Sequence, residues 1–343
     1  MSRRLRCAIA GCGMVADEYA RTLRPSTLVE LVACTDIDLN QARVFADRHA
    51  IPYVVPFQQL DAEVVLVLTP PEHHLHVASS AIAAGMSVYV EKPLAGSVAE
   101  AESLLTLAQR SGVLIGAAPD TFLAPPTRTA AVALASGLIG EPIAATGALL
   151  SPGPERWHPN PQPIYDLGPL LDMGPYYLSV LTALLGPIGK VRGATCRSRS
   201  CRTRPSGEVF TTASPTYVEA LLETTTGVSI TLTTSFDIQA TTRPHLEIYG
   251  TEGTLVLPDP NFHGGVVRVR RRDETGWRVL PQEAVAFEVI GRGMGVLDLA
   301  NAVLSRRPHR ASGDTALHVL RVTEAIRQAA ESNAALTVPR AHK

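Results

Sequence analysis

The sequence predicts an α/β fold in which an N-terminal Rossmann domain, a doubly wound parallel sheet, precedes a C-terminal α+β domain with a large mixed, mostly antiparallel sheet. Three observations predict it. Short apolar runs alternate with amphipathic stretches up to about residue 120, a glycine-rich turn follows the first run, and Thr- and Val-rich alternation begins after about residue 122. A chain of 343 residues can hold two domains, and we expect them to span 1–121 and 122–343.

The N-terminal half contains five predicted strands. They are the runs LRCAIAG, LVELVACTD, VVLVLTPP, SVYVEKP and VLIGAAPD. The intervening stretches have helical periodicity, as in residues 15–23 and in VAEAESLLTLAQRSG, where Gly112 is placed to end the helix. Strands that alternate with helices predict a parallel sheet covered on both faces.

The second half is richer in strands than in helices. TYVEALLETTTGVSITLTTSFDI reads as two strands joined at a Thr-Gly turn, and HLEIYG, GTLVL, VVRVRRR and GWRVL follow as further strands. Helices are expected over residues 296–305 and 316–330. The stretch SPGPERWHPNPQP is a loop by its proline content.

Composition and charge limit the classes of function. A formal net charge of -1 gives no general attraction to nucleic acid or to an anionic membrane, and no segment approaches the length of a membrane span. We interpret the basic stretches RSRSCRTR and VVRVRRR as exposed arginines of edge strands, with Arg197 and Arg199 on one strand face. Five cysteines without a CxxC pair predict reduced thiols in a cytoplasmic protein.

The segment AIAGCGMVA directly follows the first strand. Gly11, Gly13 and Ala16 form a G-x-G-x-x-A pattern, in which the glycines allow a tight turn and a close approach to a pyrophosphate, and the alanine allows close helix packing. Met14 and Val15 open the helix and are expected beside the cofactor. The pattern predicts a dinucleotide site.

The second predicted strand ends in ACTDID, which places Asp36 25 residues after Gly11. A carboxylate there accepts hydrogen bonds from the adenosine ribose and repels a 2′-phosphate, so NAD is expected rather than NADP. The alternative is that Asp36 only caps a turn.

Unusual tripeptides follow three of the predicted strands. They are Thr69-Pro70-Pro71, Glu91-Lys92-Pro93 and Pro119-Asp120-Thr121. Because ligands bind at the carboxyl ends of parallel strands, these segments should converge near the nicotinamide. We therefore expect Thr69, Pro70, Glu91 and Lys92 to contact the cofactor.

The sequence resembles the glucose-fructose oxidoreductase and inositol dehydrogenase family (Gfo/Idh/MocA). The resemblance rests on AIAGCGMVA, TPPEHHLHVASSAIAAGMSVYVEKPLAG, GPLLDMGPYYLSVLTALLGP and LEIYGTEGTLVL, which together reach to about residue 257. It implies NAD(P)-dependent hydride transfer on a sugar or polyol substrate and assembly into a homodimer or homotetramer.

The resemblance also assigns residues. Lys92 takes the place of the catalytic lysine that hydrogen-bonds the reacting hydroxyl, and the Lys92-Pro93 bond is often cis in the family. A nearby nicotinamide cation and partial burial favour the neutral amine of such a lysine, which makes it a better proton relay. His74 takes the place of a histidine packed below the nicotinamide, and a structural or cofactor-shell role is expected for it rather than a metal.

GPLLDMGPYY carries Asp172 and Tyr176, which share a face if the segment is one helix. Family members commonly have Asp and then His here, the His acting in acid–base catalysis, so this chain departs from the pattern at Tyr176. Tyrosine needs a nearby cation to act as a base near neutral pH, and Lys92 is a candidate for that cation. Pro175 is compatible with a helix's first turn or with a kink.

The loop before Asp172 contains candidate substrate-binding residues, namely Trp157, His158, Asn160 and Tyr165. An aromatic face beside hydrogen-bonding groups suits a sugar ring, and His158 is an alternative acid–base group. An ordered surface loop or an oligomer contact explains the same residues. Asp120 is expected to bind the nicotinamide ribose or the substrate, or to cap the following segment.

The function predicted from these residues is an NAD-dependent dehydrogenase or ketoreductase acting on a secondary hydroxyl of a sugar, glycoside or cyclitol. Lys92 and Tyr176 would pass the hydroxyl proton, and Asp172 would orient the substrate or the lysine. Two alternatives stay open. One is a hydrolase or lyase that oxidises its substrate transiently with tightly held NAD, and the other is an NAD-binding sensor without catalysis.

Overall fold

The computed structural model describes residues 3–339, which form two compact units. The first comprises the chain up to Ala124 together with Val285–Leu320, and the second comprises Pro125–Ala284 and the chain from Arg321 onward. This division differs from the predicted domains chiefly in residues 285–320, which were expected in the second domain. Long-range contacts define this division, whereas the prediction used only a change of composition along the chain.

The helices of the described chain are α1 (Met14–Leu23), α2 (Leu39–His49), α3 (His74–Ala83), α4 (Val98–Ser111), α5 (Pro125–Ala135), α6 (Gln162–Asp172), α7 (Gly174–Leu185), α8 (Met294–Ser305) and α9 (Gly313–Ser332). The strands are β1 (Leu5–Ala10), β2 (Val29–Thr35), β3 (Tyr53–Val54), β4 (Val64–Val67), β5 (Ser87–Val90), β6 (Ile115–Ala117), β7 (Pro142–Leu150), β8 (Ile188–Arg197), β9 (Cys201–Thr203), β10 (Val209–Thr211), β11 (Tyr217–Thr224), β12 (Ser229–Ser235), β13 (Leu246–Gly250), β14 (Gly253–Leu257), β15 (Arg268–Arg271), β16 (Arg278–Val279) and β17 (Leu336–Thr337).

The first unit is built on a parallel sheet with the strand order β3-β2-β1-β4-β5-β6. The predicted Rossmann sheet and its five strands are confirmed. The two-residue strand β3 was not predicted. Because all six strands are parallel, their carboxyl ends lie at one edge, and the reversal of strand order between β1 and β4 marks the usual ligand position at that edge.

Both faces of this sheet are buried. Val64 and Leu66 of β4 pack in a cluster with residues of α1 and α8, whereas Val65 and Val67 pack in a second cluster with residues of α3 and α4. Successive residues of a strand point to opposite faces, so a continuous apolar run is what a sheet covered on both sides requires.

Helix α4 has the predicted termini. The Ser97 hydroxyl accepts a hydrogen bond from the Glu100 amide at 3.3 Å, and Gly112 ends the helix with φ = 66°. A side chain at that φ would be strained, so the predicted role of Gly112 is confirmed. No helix among residues 3–339 is both long and apolar enough to cross a membrane.

The second unit contains a mixed sheet with the strand order β16-β15-β14-β13-β7-β12-β11-β8-β17, in which β7 and β12 run parallel and the other neighbours run antiparallel. The predicted hairpin is confirmed as β11 and β12. Strands β9 and β10 pair separately. Helix α7 packs closely on β7 at Gly147, where an added Cβ would lie 3.3 Å from the Tyr177 ring.

Candidate active site

The glycine loop after β1 is fixed against two neighbouring strand ends. Gly11 has φ = 98°, and an added Cβ would lie 2.7 Å from the backbone of Leu68 and Thr69. Its amide donates to the Thr35 carbonyl at 2.9 Å. Only glycine fits here, because a larger residue would collide with backbone that cannot move aside.

The N-terminus of α1 opens toward free space. Gly13 is the N-cap with extended backbone and no side-chain cap, and a Cβ built there meets nothing within 4 Å. Met14 is exposed and Val15 is partly buried, while Ala16 is fully buried and lets the helix pack closely on the sheet. The uncapped amides and the helix dipole make this end suited to an anion such as a pyrophosphate.

Asp36 lies at the carboxyl end of β2 and is half-buried. Its Oδ2 accepts from the Cys12 amide at 2.8 Å and its Oδ1 from the Asp38 amide at 3.0 Å. The Asp36 carboxylate thus holds the glycine loop through Cys12. It also caps the turn at Asp38, which was the alternative role predicted for it. Ile37 beside it is fully exposed.

His74 joins the loops that follow β4 and β5. It is 1% exposed, with Nε2 2.9 Å from the Thr69 carbonyl oxygen and Nδ1 2.7 Å from that of Pro93. A neutral imidazole donates to one of these acceptors and an imidazolium to both. The predicted convergence of these two strand ends is therefore seen, and His74 is the residue that connects them.

Hydrogen bonds of the Glu91 side chain hold the Glu91-Lys92-Pro93 segment in place within the first unit. Glu91 is buried, and its carboxylate accepts from the Tyr19 hydroxyl at 2.9 Å and from the Lys92 amide at 2.8 Å. Burial, together with the Glu91 charge, raises the pKa of Tyr19, so its hydroxyl stays a donor. Lys92 is half-buried and the Lys92-Pro93 bond is cis. Glu91 thus positions the backbone of Lys92.

Asp120 has a structural partner that its sequence position did not indicate. It is 2% exposed, and its Oδ2 accepts from the amides of Gly293 and Gly295, at 2.8 and 2.9 Å, at the start of α8. A carboxylate at a helix N-terminus is favourable. Capping was an expected alternative, but the helix capped is distant in sequence. These two bonds give the buried carboxylate a structural role, and its contact with the ribose or the substrate stays a prediction.

Asp172 and Tyr176 belong to the second unit and lie on two successive helices. Asp172 ends α6 and is half-buried, whereas Tyr176 lies in the first turns of α7 and is 2% exposed. A shared face was predicted only if the segment is one helix, and this condition is not met, because α6 ends at Asp172 and α7 begins at Gly174. Pro175 occupies the first turn of α7, where it costs no hydrogen bond.

Of the four candidate residues in and after this loop, Trp157 and Asn160 are exposed, His158 is half-buried, and Tyr165, which lies on α6, is buried. Trp157 is 69% exposed and meets the His158 ring edge to face, and Nδ1 of His158 accepts from the Asn160 amide at 3.1 Å. Tyr165 has no exposed surface, packs against Phe210 and Phe236, and donates to Glu155. The predicted substrate contact of Tyr165 is not supported, since a fully buried ring is a core residue.

A buried arginine in the second unit was missed. Arg202 is 2% exposed and donates to Glu155 at 2.8 Å and to Asp237, and its guanidinium lies 5.1 Å from the centre of the Tyr165 ring. Its interpretation as an exposed edge-strand arginine is wrong. The signal was in the sequence, because Arg202 is three residues from Arg199 and so is out of phase with Arg197 and Arg199.

Within residues 3–339, no group of three or more His, Cys, Asp or Glu side chains is arranged to hold a metal ion. His74, the buried histidine of the TPPEHH segment, already places both ring nitrogens against carbonyl oxygens.

Comparison with known proteins gives two matching family models. "Oxidoreductase family, NAD-binding Rossmann fold" matches residues 5–118, and "GFO/IDH/MocA C-terminal domain" matches residues 127–256. The dTDP-3,4-didehydro-2,6-dideoxy-alpha-D-glucose 3-reductase of Streptomyces violaceoruber is 29% identical, over 96% of each chain. An inositol 2-dehydrogenase of Salmonella typhimurium is 27% identical, over 74% of each.

Solved structures with the same fold include two enzymes with a bound nicotinamide cofactor. A 3-ketoreductase from Actinomadura kijaniata in complex with TDP-benzene and NADP has a TM-score of 0.76 at 25% identity, covering 95% of this chain and 98% of that one. A levoglucosan dehydrogenase in complex with NADH has a TM-score of 0.82 at 18% identity, covering 99% and 100%, which bears on the fold alone.

Proposed function

The chain belongs to the Gfo/Idh/MocA family of oxidoreductases, and we propose that it transfers a hydride between a nicotinamide cofactor and a secondary alcohol or ketone of a sugar, glycoside or cyclitol. The observation that carries the proposal is the position of Lys92 at the carboxyl edge of the parallel sheet, in a loop that His74 ties to the neighbouring strand end. The relatives named as sugar reductase and inositol dehydrogenase support the substrate class.

The residues of the first unit fit a dinucleotide. The open space beside Gly13 admits a pyrophosphate to the uncapped amides of α1. The Asp36 carboxylate lies at the end of β2, where a ribose is expected. Bound NAD(H) supplies the hydride acceptor or donor, and the protein binds and orients the reactants.

Lys92 is the residue we assign to proton transfer in this reaction. Oxidation of a secondary alcohol releases the hydroxyl proton as the hydride leaves carbon, and the Lys92 amine accepts it, directly or through a relay. In the reverse direction the ammonium donates. The Glu91 carboxylate, which holds the Lys92 amide, fixes the start of the side chain.

Asp172, Tyr176 and His158 stay predicted participants, with Tyr176 or His158 as the second acid–base group. We also propose that the protein is cytoplasmic, in agreement with five cysteines that are all free. Assembly as a homodimer or homotetramer is proposed from the family resemblance.

The proposal is tested by absorbance at the NADH band, with purified protein, NAD and a panel of hexoses, glycosides and inositols. NADH formation with one substrate class is expected. Transient redox catalysis predicts product without net NADH and a protein that carries nicotinamide through purification. An NAD-binding protein that turns over no member of the panel in either direction would contradict the proposal.

Replacing Asp36 with asparagine is expected to lower the preference for NAD over NADP by about tenfold or more. The substitution removes the charge that repels a 2′-phosphate and weakens the bonds to the ribose hydroxyls. The measurement is the ratio of kcat/KM for the two cofactors. Asp47→Asn, an exposed carboxylate on α2, is the control with the same change of charge. An unchanged ratio would leave Asp36 with only its turn role.

A further inference from the structure

A cavity of about 540 Å³ lies within the second unit, and nothing in the proposed function requires its charge. Its lining includes Glu155, Arg156, Arg199, Arg202, Arg204 and Asp237. We propose that this cavity binds a phosphate or diphosphate group of the substrate, so that the enzyme acts on a phosphate-bearing sugar. The inference rests on the proposed hydride transfer and narrows its substrate class.

The charge of the lining matches such a group. Four arginines of the lining face two of its carboxylates, and Glu208 outside the lining pairs with Arg204, so the positive charge exceeds the negative by one to two units. A phosphate monoester or a diphosphate diester carries close to two negative charges at neutral pH. A neutral sugar or cyclitol would not compensate this excess.

Arg202 is a buried part of the cavity wall, and its positive charge is already compensated by carboxylates of the protein. Its guanidinium is engaged by Glu155 and Asp237 and by the carbonyls of Pro152 and Phe236, at 3.1 and 2.8 Å. This network fixes the segments after β7 and β12, whose parallel strands end at the same edge of the sheet.

The other arginines have less compensated charge. Arg156 donates to the neutral Gln239 amide oxygen, and among the described residues the Arg199 guanidinium makes no ion pair. Arg204 lies 3.3 Å from Glu208, which is 61% exposed, and its guanidinium packs 5.5 Å from the centre of the Phe210 ring. Arginine is the side chain best suited to bind phosphate oxygens in pairs.

The cavity lies near the predicted substrate residues of the same unit. Glu155 in its lining is bonded to Tyr165 of α6, and α6 ends at Asp172. Asp172 lies seven positions after Tyr165, a helical rise on the order of 10 Å, which the kink at Gly168 modifies. A sugar joined to a phosphate is a ligand of this length, and a volume of this size is usual for such sites.

The test measures binding by calorimetry to full-length protein saturated with NADH, so that the cofactor site cannot take up the probes. The probes are glucose 1-phosphate, thymidine diphosphate, inorganic pyrophosphate and glucose. The phosphate probes are expected to bind and glucose alone to bind far more weakly. Arg199→Ala and Arg156→Ala should each weaken the phosphate probes about tenfold.

Arg128→Ala is the matched control, because Arg128 is an exposed arginine of the same unit on α5 and does not line the cavity. Stronger binding of thymidine diphosphate than of glucose 1-phosphate would indicate that the substrate is a nucleoside-diphosphate sugar. Stronger binding of glucose 1-phosphate would indicate a sugar phosphate. Equal weakening by Arg128→Ala, or no binding of any phosphate probe, would overturn the inference. In the latter case, NADH formation with neutral sugars would still leave the proposed function standing.

Discussion

Lys92→Ala is expected to lower kcat for NADH-linked turnover by on the order of 10³-fold while NADH still binds. General acid–base catalysis by a positioned side chain contributes about 10²- to 10⁴-fold. The glycine loop and Asp36, which are expected to hold the dinucleotide, contact other strand ends and do not depend on the lysine side chain. The measurements are single-turnover kinetics and titration of NADH fluorescence.

Two further variants separate the roles of the Lys92 amine. Lys92→Arg keeps a positive charge but does not release a proton near neutral pH, so it should be nearly as slow as Lys92→Ala if proton transfer is the role. Lys190→Ala, an exposed lysine of β8, is the matched control. Full activity in Lys92→Ala, or activity restored by arginine, would show that Lys92 is not the proton relay.

The parts of the site that the sequence predicted are those set by local spacing. Gly11, Gly13 and Ala16 follow a strand at fixed intervals, and the apolar runs locate the strands. The tripeptides after β4 and β5 were recognised because each directly follows a strand, and the parallel topology then brings them together. Local sequence therefore sufficed for the parallel sheet of the first unit, but it did not show that residues 285–320 join that unit.

The features that were missed depend on partners far apart in sequence. Asp120 caps a helix 173 residues later, and Arg202 pairs with Glu155 and Asp237, 47 and 35 residues away. An aspartate after a strand looks the same whether it faces a ligand or a helix terminus. The roles of Asp120 and Arg202 follow from their burial, and the burial of a side chain is known only once the tertiary contacts are known.

Arg202→Ala is expected to lower the free energy of unfolding of the second unit by about 3–5 kcal/mol, because it removes the ion-pair partner of Glu155, whose side chain is buried. Both tryptophans, Trp157 and Trp277, lie in this unit, so urea unfolding followed by tryptophan fluorescence reports on it. Arg192→Ala is the matched control. It breaks an ion pair whose side chains are 45% and 29% exposed, and such surface pairs contribute about 0–1 kcal/mol.

The double variant Arg202→Ala with Glu155→Gln tests the cause of this loss. If the cost comes from a stranded carboxylate, the neutral glutamine should restore part of the stability, whereas loss of arginine packing against Tyr165 would not be repaired. An effect of Arg202→Ala no larger than that of Arg192→Ala would mean that solvent reaches the carboxylates once the arginine is gone. The hydrogen bonds of Arg202 would then not be needed to hold together the segments after β7 and β12. Other contacts would maintain the shape of the cavity beside Arg202.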